Sequence, residues 1–257
     1  MSRPIVVIPA CTKLIEGHAF DAVGRKYSAA IAEVAECQPL LAPLGAGMAD
    51  IGAILEVADA ILLSGSLSNV APEHYGIRPN LITFAKAATS GYIPLSGVIV
   101  DDKIVDALMS HDDDFHHGYT FSGHPVACAV ALKNLEIMEQ EKLVPRVKEF
   151  TGPALAKLLA KFKDHPLVGE VRSVGLLGAI ELVADRRTRR RFADPGRVGL
   201  ICRDHFFREG FIMRAVFDTM VTAPPLIWTQ TQFDEAEAVI RRVLDLTLND
   251  VAGELAA

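Results

Sequence analysis

The chain is poor in cysteine, in tryptophan and in net charge. Its 257 residues include four cysteines and one tryptophan, and the formal charge is only −6. Cys11, Cys37, Cys128 and Cys202 are scattered without a Cys-x-x-Cys pair, so neither zinc nor a disulfide framework is indicated. The mildly acidic balance gives no reason to expect nucleic acid or an anionic membrane as partner. No apolar run reaches membrane-spanning length, and no signal-like segment precedes the first strand-like run. A cytoplasmic location is therefore expected. The one basic run, Arg186-Arg187-Thr188-Arg189-Arg190-Arg191, reads as a solvated loop or helix face.

What is present is an ordinary globular mixture, half apolar and about a quarter charged. The length suits one large or two modest domains. Residues 1–74 read as alternating strands and helices. Ile5-Val6-Val7-Ile8-Pro9, Pro39-Leu40-Leu41-Ala42-Pro43 and Ala60-Ile61-Leu62-Leu63-Ser64-Gly65 are the strands. Between them, Val23, Tyr27, Ala30, Ile31 and Val34 mark one helix face. Ile51, Ile54, Leu55 and Ala58 mark another, capped by Asp50. This order opens a doubly wound sheet.

Further on, the pattern predicts a helix after Asp101-Asp102 bearing Ile104, Val105 and Leu108. Pro125 opens a helix with Val126, Val130, Leu132, Leu135 and Met138 on a wide apolar face. Leu155, Leu158, Leu159 and Phe162 face inward from the next helix. Strands follow at 168–172 and 178–183, and a helix at 196–209 carries Val198, Ile201, Cys202 and Phe206. Strands around Met213 and Val221 precede a last helix, opened by the capping-box-like Thr231-Gln232-Phe233-Asp234.

The stretch from Leu81 to Val100 carries the chemistry. Lys86 follows an apolar strand-like run and precedes a small-residue turn, a position at a strand end that reads as semi-buried. A lysine amine in an apolar pocket loses its proton more readily, and a neutral amine attacks carbonyls. Snorkelling from a strand edge to solvent is the alternative reading of the same pattern.

Three blocks extend the case. Pro79-Asn80-Leu81-Ile82-Thr83-Phe84-Ala85-Lys86 is followed by His117-Gly118-Tyr119-Thr120-Phe121-Ser122-Gly123-His124-Pro125. Phe211-Ile212-Met213-Arg214-Ala215-Val216 then precedes Val221-Thr222-Ala223-Pro224-Pro225-Leu226. In this order they make residues from about Tyr75 onward resemble the C-terminal part of class III (omega-type) aminotransferases, whose cofactor is pyridoxal phosphate. The resemblance implies that Lys86 holds the cofactor covalently and shuttles the substrate proton. It implies that Thr120 bonds the cofactor phosphate of a neighbouring subunit, hence a homodimer. It also implies that Arg214 binds a substrate carboxylate bidentately. The donor would be an amine or omega-amino acid such as putrescine, and the acceptor a keto acid such as pyruvate. The family carries a loop similar to His111-Asp112-Asp113-Asp114-Phe115-His116-His117 without a metal, so none is expected.

The front of the chain resembles a second family. Arg3-Pro4-Ile5-Val6-Val7-Ile8-Pro9, Phe20-Asp21-Ala22-Val23-Gly24-Arg25-Lys26-Tyr27 and the run from Leu62 to Gly76 are similar to class I glutamine-amidotransferase-like gamma-glutamyl-gamma-aminobutyrate hydrolases. No Gly-x-Cys-x-Gly elbow occurs, Cys11 and Cys37 read as structural thiols, and hydrolase chemistry is not expected. The join falls near His74-Tyr75-Gly76. The resulting fold is α/β: a partial doubly wound (flavodoxin-like) β-α-β-α-β unit, then the C-terminal part of a fold-type I aminotransferase with its mixed α/β small domain. Residues 1–76 form the hydrolase-like fragment, 77–150 the end of the cofactor domain, and 151–257 the small domain.

The same resemblance places other parts upstream of the lysine: an aspartate facing the cofactor ring, a phosphate cup and a stacking aromatic. None of their motifs occurs in residues 1–74. Asn80 and Ala87 stand where the family favours Asp and Gly. The expectation is a truncated aminotransferase homologue with weak or absent transamination. The alternative is a non-catalytic fusion, or an assembly partner of a full-length aminotransferase.

Overall fold

The computed structural model describes residues 3–15, 18–43, 50–62, 76, 78–110 and 118–255. The chain divides into two compact units, Met1–Gly76 and Ile77–Ala257.

In the first unit, β1 (Ile5–Ile15) is the central strand. It pairs in parallel with β3 (Gln38–Pro43) on one side and β4 (Ala60–Ile61) on the other. Parallel neighbours need crossover connections. Here these are α1 (Arg25–Ala29), extended by a π-turn over Ala30–Val34, and α2 (Ile51–Val57). The far half of β1 pairs antiparallel with β2 (His18–Ala22), a strand that the sequence pattern did not announce. Val7 and Ile8 are buried, as the β-branched run requires. Asp50 caps α2, its carboxylate accepting from the Ala53 amide at 3.2 Å. Ile31 is buried but Val34 is exposed, contrary to the predicted helix face. The i→i+5 bonding of the π-turn breaks the 3.6-residue register and carries Val34 out of line. Leu63, Ser64 and Gly65, at the end of the expected third strand, lie outside the described residues.

The second unit opens with a two-stranded antiparallel ribbon, β5 (Leu81–Ala85) against β6 (Ser96–Val100). Then come α3 (Asp102–Met109), α4 (Pro125–Gln140) and α5 (Leu143–Arg146). A π-turn over Val147–Thr151 leads into α6 (Gly152–Ala160). The rest is a four-stranded antiparallel sheet of β7 (Val168–Val174), β8 (Leu177–Leu182), β10 (Thr219–Thr222) and β9 (Arg214–Val216), in that order. α7 (Arg197–Arg208) and α8 (Gln230–Asp250) complete it.

This sheet buries one face. Along β8, Gly178, Ile180 and Leu182 are buried while the residues between them are half-exposed, the alternation of a one-sided antiparallel sheet. Helices α6, α7 and α8 cover that face. Leu155, Leu158, Leu159 and Phe162 of the α6 segment pack into one cluster with Val198, Cys202 and Phe206 of α7 and Ile240, Val243 and Leu244 of α8. Gly178 permits the closest approach, since a Cβ there would lie 2.6 Å from Leu159 Cδ1. The last helix is capped two residues earlier than its sequence suggested. Thr229 and Gln232 form a reciprocal capping box, which leaves Thr231 inside the first turn.

The elements before α5 are different. On α4, Ala127 is buried and Val130 and Met138 are half-buried, but Val126, Leu132 and Leu135 are exposed, so the wide apolar face predicted for this helix is covered only in part. Val105 and Leu108 on α3 are exposed as well. The pattern marks the apolar faces correctly, but among the described residues α4 is covered only in part, where its Val130–Asn134–Met138 stripe is half-buried and Asn134 meets the turn over Lys86–Thr89.

Candidate active site

Lys86 sits where the sequence places it, one residue past the end of β5, and opens a 3₁₀ turn over Lys86–Thr89. Its backbone has φ of +55°, in the left-handed region that a residue with a Cβ enters at a cost. Ser90 (φ +50°) and Gly91 (φ +79°) continue the bend that brings the chain back into β6. The expected semi-burial of Lys86 does not hold. Its side chain is exposed, because β5 and β6 form a ribbon with no further strand beside them among the described residues.

Two side chains fix this turn from within. Thr89 is buried, and its hydroxyl donates to the Ile93 carbonyl at 2.6 Å. From α4, the Asn134 amide donates to the carbonyls of Ala87 at 3.0 Å and Ala88 at 3.1 Å. The sequence reading passed over both. A signal for Asn134 did exist: it is a polar residue four positions after Val130 and four before Met138, on the apolar face of a helix.

Thr120 lies in the loop before α4, exposed between exposed Tyr119 and Phe121. The loop is tied to itself and to the helix. Ser122 Oγ accepts from the Tyr119 amide at 2.8 Å, and His124 caps α4 by accepting from the Ala127 amide at 3.4 Å. The histidine- and aspartate-rich run 111–117 lies outside the described residues.

Arg214 begins β9, with its side chain exposed. Other arginines of this unit are engaged: Arg172 binds Glu181 at 2.8 Å and Arg186 binds Asp164 at 2.9 Å. Arg214 holds no carboxylate among the described residues. β9 itself is held by a turn with Phe217 at φ +50°, followed by Asp218, whose carboxylate accepts from the amides of Gly196 and Gly199 at 2.9 Å each. No hydrogen bond or ion pair joins Lys86, Thr120 and Arg214 among the described residues. A hollow of about 340 Å³ beside the start of α7, lined by Arg197, Leu200 and Phe217, contains none of the three. The basic run is partly neutralised, with Arg186 on Asp164 and Arg189 on Glu170 at 3.2 Å. Asp185 accepts from the amides of Arg187 and Thr188 and shapes it as a tight solvent-facing turn.

Comparison with known proteins gives this geometry a family. The model of "Aminotransferase class-III" matches residues 64–244, and that of "Peptidase C26" matches residues 4–87. The chain belongs to the class III aminotransferases, with a glutamine-amidotransferase-like segment at its front. It is 47% identical over 196 residues to the putrescine–pyruvate aminotransferase of Pseudomonas aeruginosa, covering 76% of this chain and 42% of that protein. Against the diaminobutyrate–2-oxoglutarate transaminase of Halomonas elongata it is 37% identical, covering 76% of this chain and 45% of that one. Among solved structures, the omega transaminase of Pseudomonas jessenii in complex with PMP superposes with a TM-score of 0.65 at 35% identity. That match covers 70% of this chain and 40% of the other. An (S)-enantioselective omega-transaminase from Thermomicrobium roseum gives 0.63 at 39% identity, over 69% and 39% of the two chains. The chain thus spans about two fifths of the length of the relatives it matches. The family is pyridoxal-phosphate-dependent.

Proposed function

We propose that the protein is a reduced class III transaminase, taking an amine or omega-amino acid such as putrescine as donor and a keto acid such as pyruvate as acceptor. The observation that carries this reading is the Lys86 turn. An amine stands at the end of β5 on a backbone fixed by Thr89 and Asn134, and no acid among the described residues neutralises it.

The residues present fit attachment of pyridoxal phosphate. Among the described residues, Lys86 offers an unpaired amine, Thr120 an unpaired hydroxyl for a phosphate, and Arg214 a guanidinium that holds no carboxylate. When bound, the cofactor supplies an electron sink for the carbon that loses or gains the amino group. Lys86 Nζ would hold the cofactor, then take the proton from the substrate carbon and return it. Arg214 would orient the keto acid by two parallel hydrogen bonds to its carboxylate. In this reading Thr120 serves the site of a second copy, and the exposed aromatic residues on either side of it favour a homodimer through this loop. The division of the second unit at residue 150 into a cofactor part and a small domain belongs to the same proposal.

The reading includes weak activity. The aspartate, phosphate cup and stacking aromatic that the family resemblance places upstream have no counterpart in residues 1–74. Each lost charge-assisted hydrogen bond removes about 1.5–3 kcal/mol of binding. A second reading, a non-catalytic assembly partner of a full-length aminotransferase, is favoured by one observation. Leu81 and Val98 on one face of the β5–β6 ribbon, and Phe84 and Ile99 on the other, are all exposed, as on a strand pair made to be covered on both sides.

The test is titration with pyridoxal phosphate, followed by borohydride trapping and peptide mass spectrometry. One adduct on Lys86, lost in Lys86→Ala, supports the transaminase reading, and amine donors are then screened. Adducts spread over many lysines, or none, reject it and leave the assembly partner.

A further inference from the structure

Asn134 is the described side chain that reaches the lysine turn from a distant part of the sequence. It gives its amide to two successive carbonyls, those of Ala87 and Ala88. The orientation of this amide is dictated by its surroundings, since turning it over would set its oxygen against two carbonyl oxygens. Thr89 closes the other side of the turn by donating to the Ile93 carbonyl. Between these anchors Lys86 keeps a left-handed backbone while its own side chain makes no bond among the described residues. Nothing in the lysine itself selects that conformation.

We propose that Asn134 is a positioning residue for Lys86. By holding the two carbonyls that follow, it fixes the left-handed backbone and so the direction in which the amine leaves the end of β5. The same helix carries the Thr120 loop, since His124 caps its first turn. Asn134 is the tenth residue of α4, two and a half turns further on. One rigid element thus holds both the lysine turn and the threonine loop. What Lys86 then does rests on the transaminase reading, but its positioning by Asn134 does not.

The experiment is run on the full chain without cofactor. Asn134→Leu removes both donors at similar volume, and Asn134→Asp does so at identical shape, setting a carboxylate against the carbonyls at neutral pH. Asn134→Gln retains the donors. Three quantities are read: amide hydrogen exchange over 87–92, the rate of Lys86 acylation relative to Lys103 at one fixed pH, and the melt followed by Trp228 fluorescence. In the Leu and Asp variants exchange over the turn rises about tenfold or more. The ratio of Lys86 to Lys103 acylation changes, the Trp228 melt stays in place, and Gln restores the first two. An unchanged exchange rate and acylation ratio in both variants overturns the proposal, as does failure of Gln to restore them. Pyridoxal phosphate trapping is then repeated on each variant. If the wild-type chain traps none while exchange and acylation respond as stated, the transaminase reading falls and the positioning role stands.

Discussion

Asp218 offers the strongest single test of how the second unit holds Arg214. Its carboxylate accepts from the amides of Gly196 and Gly199, both at 2.9 Å, and so closes the N-terminus of α7 from outside the helix. The same turn presses so close on α7 that a Cβ at Gly199 would lie 1.9 Å from the Phe217 carbonyl oxygen. Hydrogen bonds to a charged acceptor contribute about 1.5–3 kcal/mol each, but the loss of a whole cap is measured at about 0.5–2 kcal/mol. Asp218 is half-exposed, so water replaces part of what is lost. Asp218→Ala should therefore cost about 2 kcal/mol. Asp218→Asn keeps one acceptor oxygen but loses the charge that favours a helix N-terminus, and should cost about 1 kcal/mol. Gly199→Ala, which forces backbone apart, should cost about 3 kcal/mol. Gly253→Ala is the control, since a Cβ there meets nothing within 4 Å. The assay is urea unfolding read by the fluorescence of Trp228, the one tryptophan, which packs on Phe233 with ring centroids 5.1 Å apart. This probe reports the core of the second unit and is silent on the first. Asp218→Ala and Asp218→Asn both within about 0.5 kcal/mol of wild type would show that the two bonds are not what holds the turn.

Three further outcomes follow from the same structure. His165 is buried, with Leu167 N–H donating to Nδ1 at 3.2 Å and Asp245 beside Nε2 at 3.2 Å. Burial is the main cause that lowers its pKa from 6.5, against Asp245, which raises it, with Arg241 lowering it further. The unfolded chain then binds the extra proton, so stability is present above about 6.5 and is lost as pH falls below it. The urea midpoint should drop between pH 7.5 and pH 5, and more steeply than in His165→Asn; parallel curves would contradict this. Cys202 is fully buried and its thiol is pushed up to about 12 by that burial. Iodoacetamide at pH 8 should therefore modify Cys37 and Cys128 in the native protein and reach Cys202 only after unfolding, as peptide mass spectrometry would show. Leu132→Ser on the exposed face of α4 should cost less than about 0.5 kcal/mol, whereas Leu158→Ser in the core should cost about 3 kcal/mol. A large cost at Leu132, or one that varies with protein concentration, would mean that this face is covered in solution.

Much of the second unit's core could be read directly from residue spacing. Leu155, Leu158, Leu159 and Phe162, then Val198, Cys202 and Phe206, recur at intervals of three and four, and all are buried. The slips have local causes. Thr229 and Thr231 each precede a polar residue three positions on, and only the geometry shows that Gln232 answers Thr229. The π-turns at Ala30–Val34 and Val147–Thr151 leave no compositional mark, because a changed hydrogen-bond span needs no special residue. Of the site, the strand-end position of Lys86 was legible because apolar run, lysine and small-residue turn are contiguous. Asn134 showed only as a polar residue on an apolar helix face, and nothing local tells that its bonds go to carbonyls 46 and 47 residues away.

The exposure of Lys86 and the exposed apolar surface around it have one cause. An amphipathic pattern records that a face meets apolar neighbours; it does not record where those neighbours stand in the chain. On α6, α7 and α8 the neighbours lie within residues 151–255, and the faces close. On α4 and on both faces of the β5–β6 ribbon much of the apolar surface finds no cover among the described residues, and Leu132, Leu135, Leu81, Phe84, Val98 and Ile99 stay exposed. A two-stranded ribbon is marginal by itself and leaves unpaired hydrogen-bonding groups along its edges. The amine of Lys86 stands at the end of this ribbon. Whatever covers Phe84 would therefore also remove water from Lys86, and without that cover the lysine side chain remains solvated on a fixed backbone. Stability of the ribbon and chemistry at the lysine should accordingly rise together: any condition that protects the amides of β5 and β6 from exchange should also sharpen cofactor trapping at Lys86 over other lysines. Protection gained without such selectivity would separate the two and show that the missing cofactor contacts, not the missing cover, limit the site.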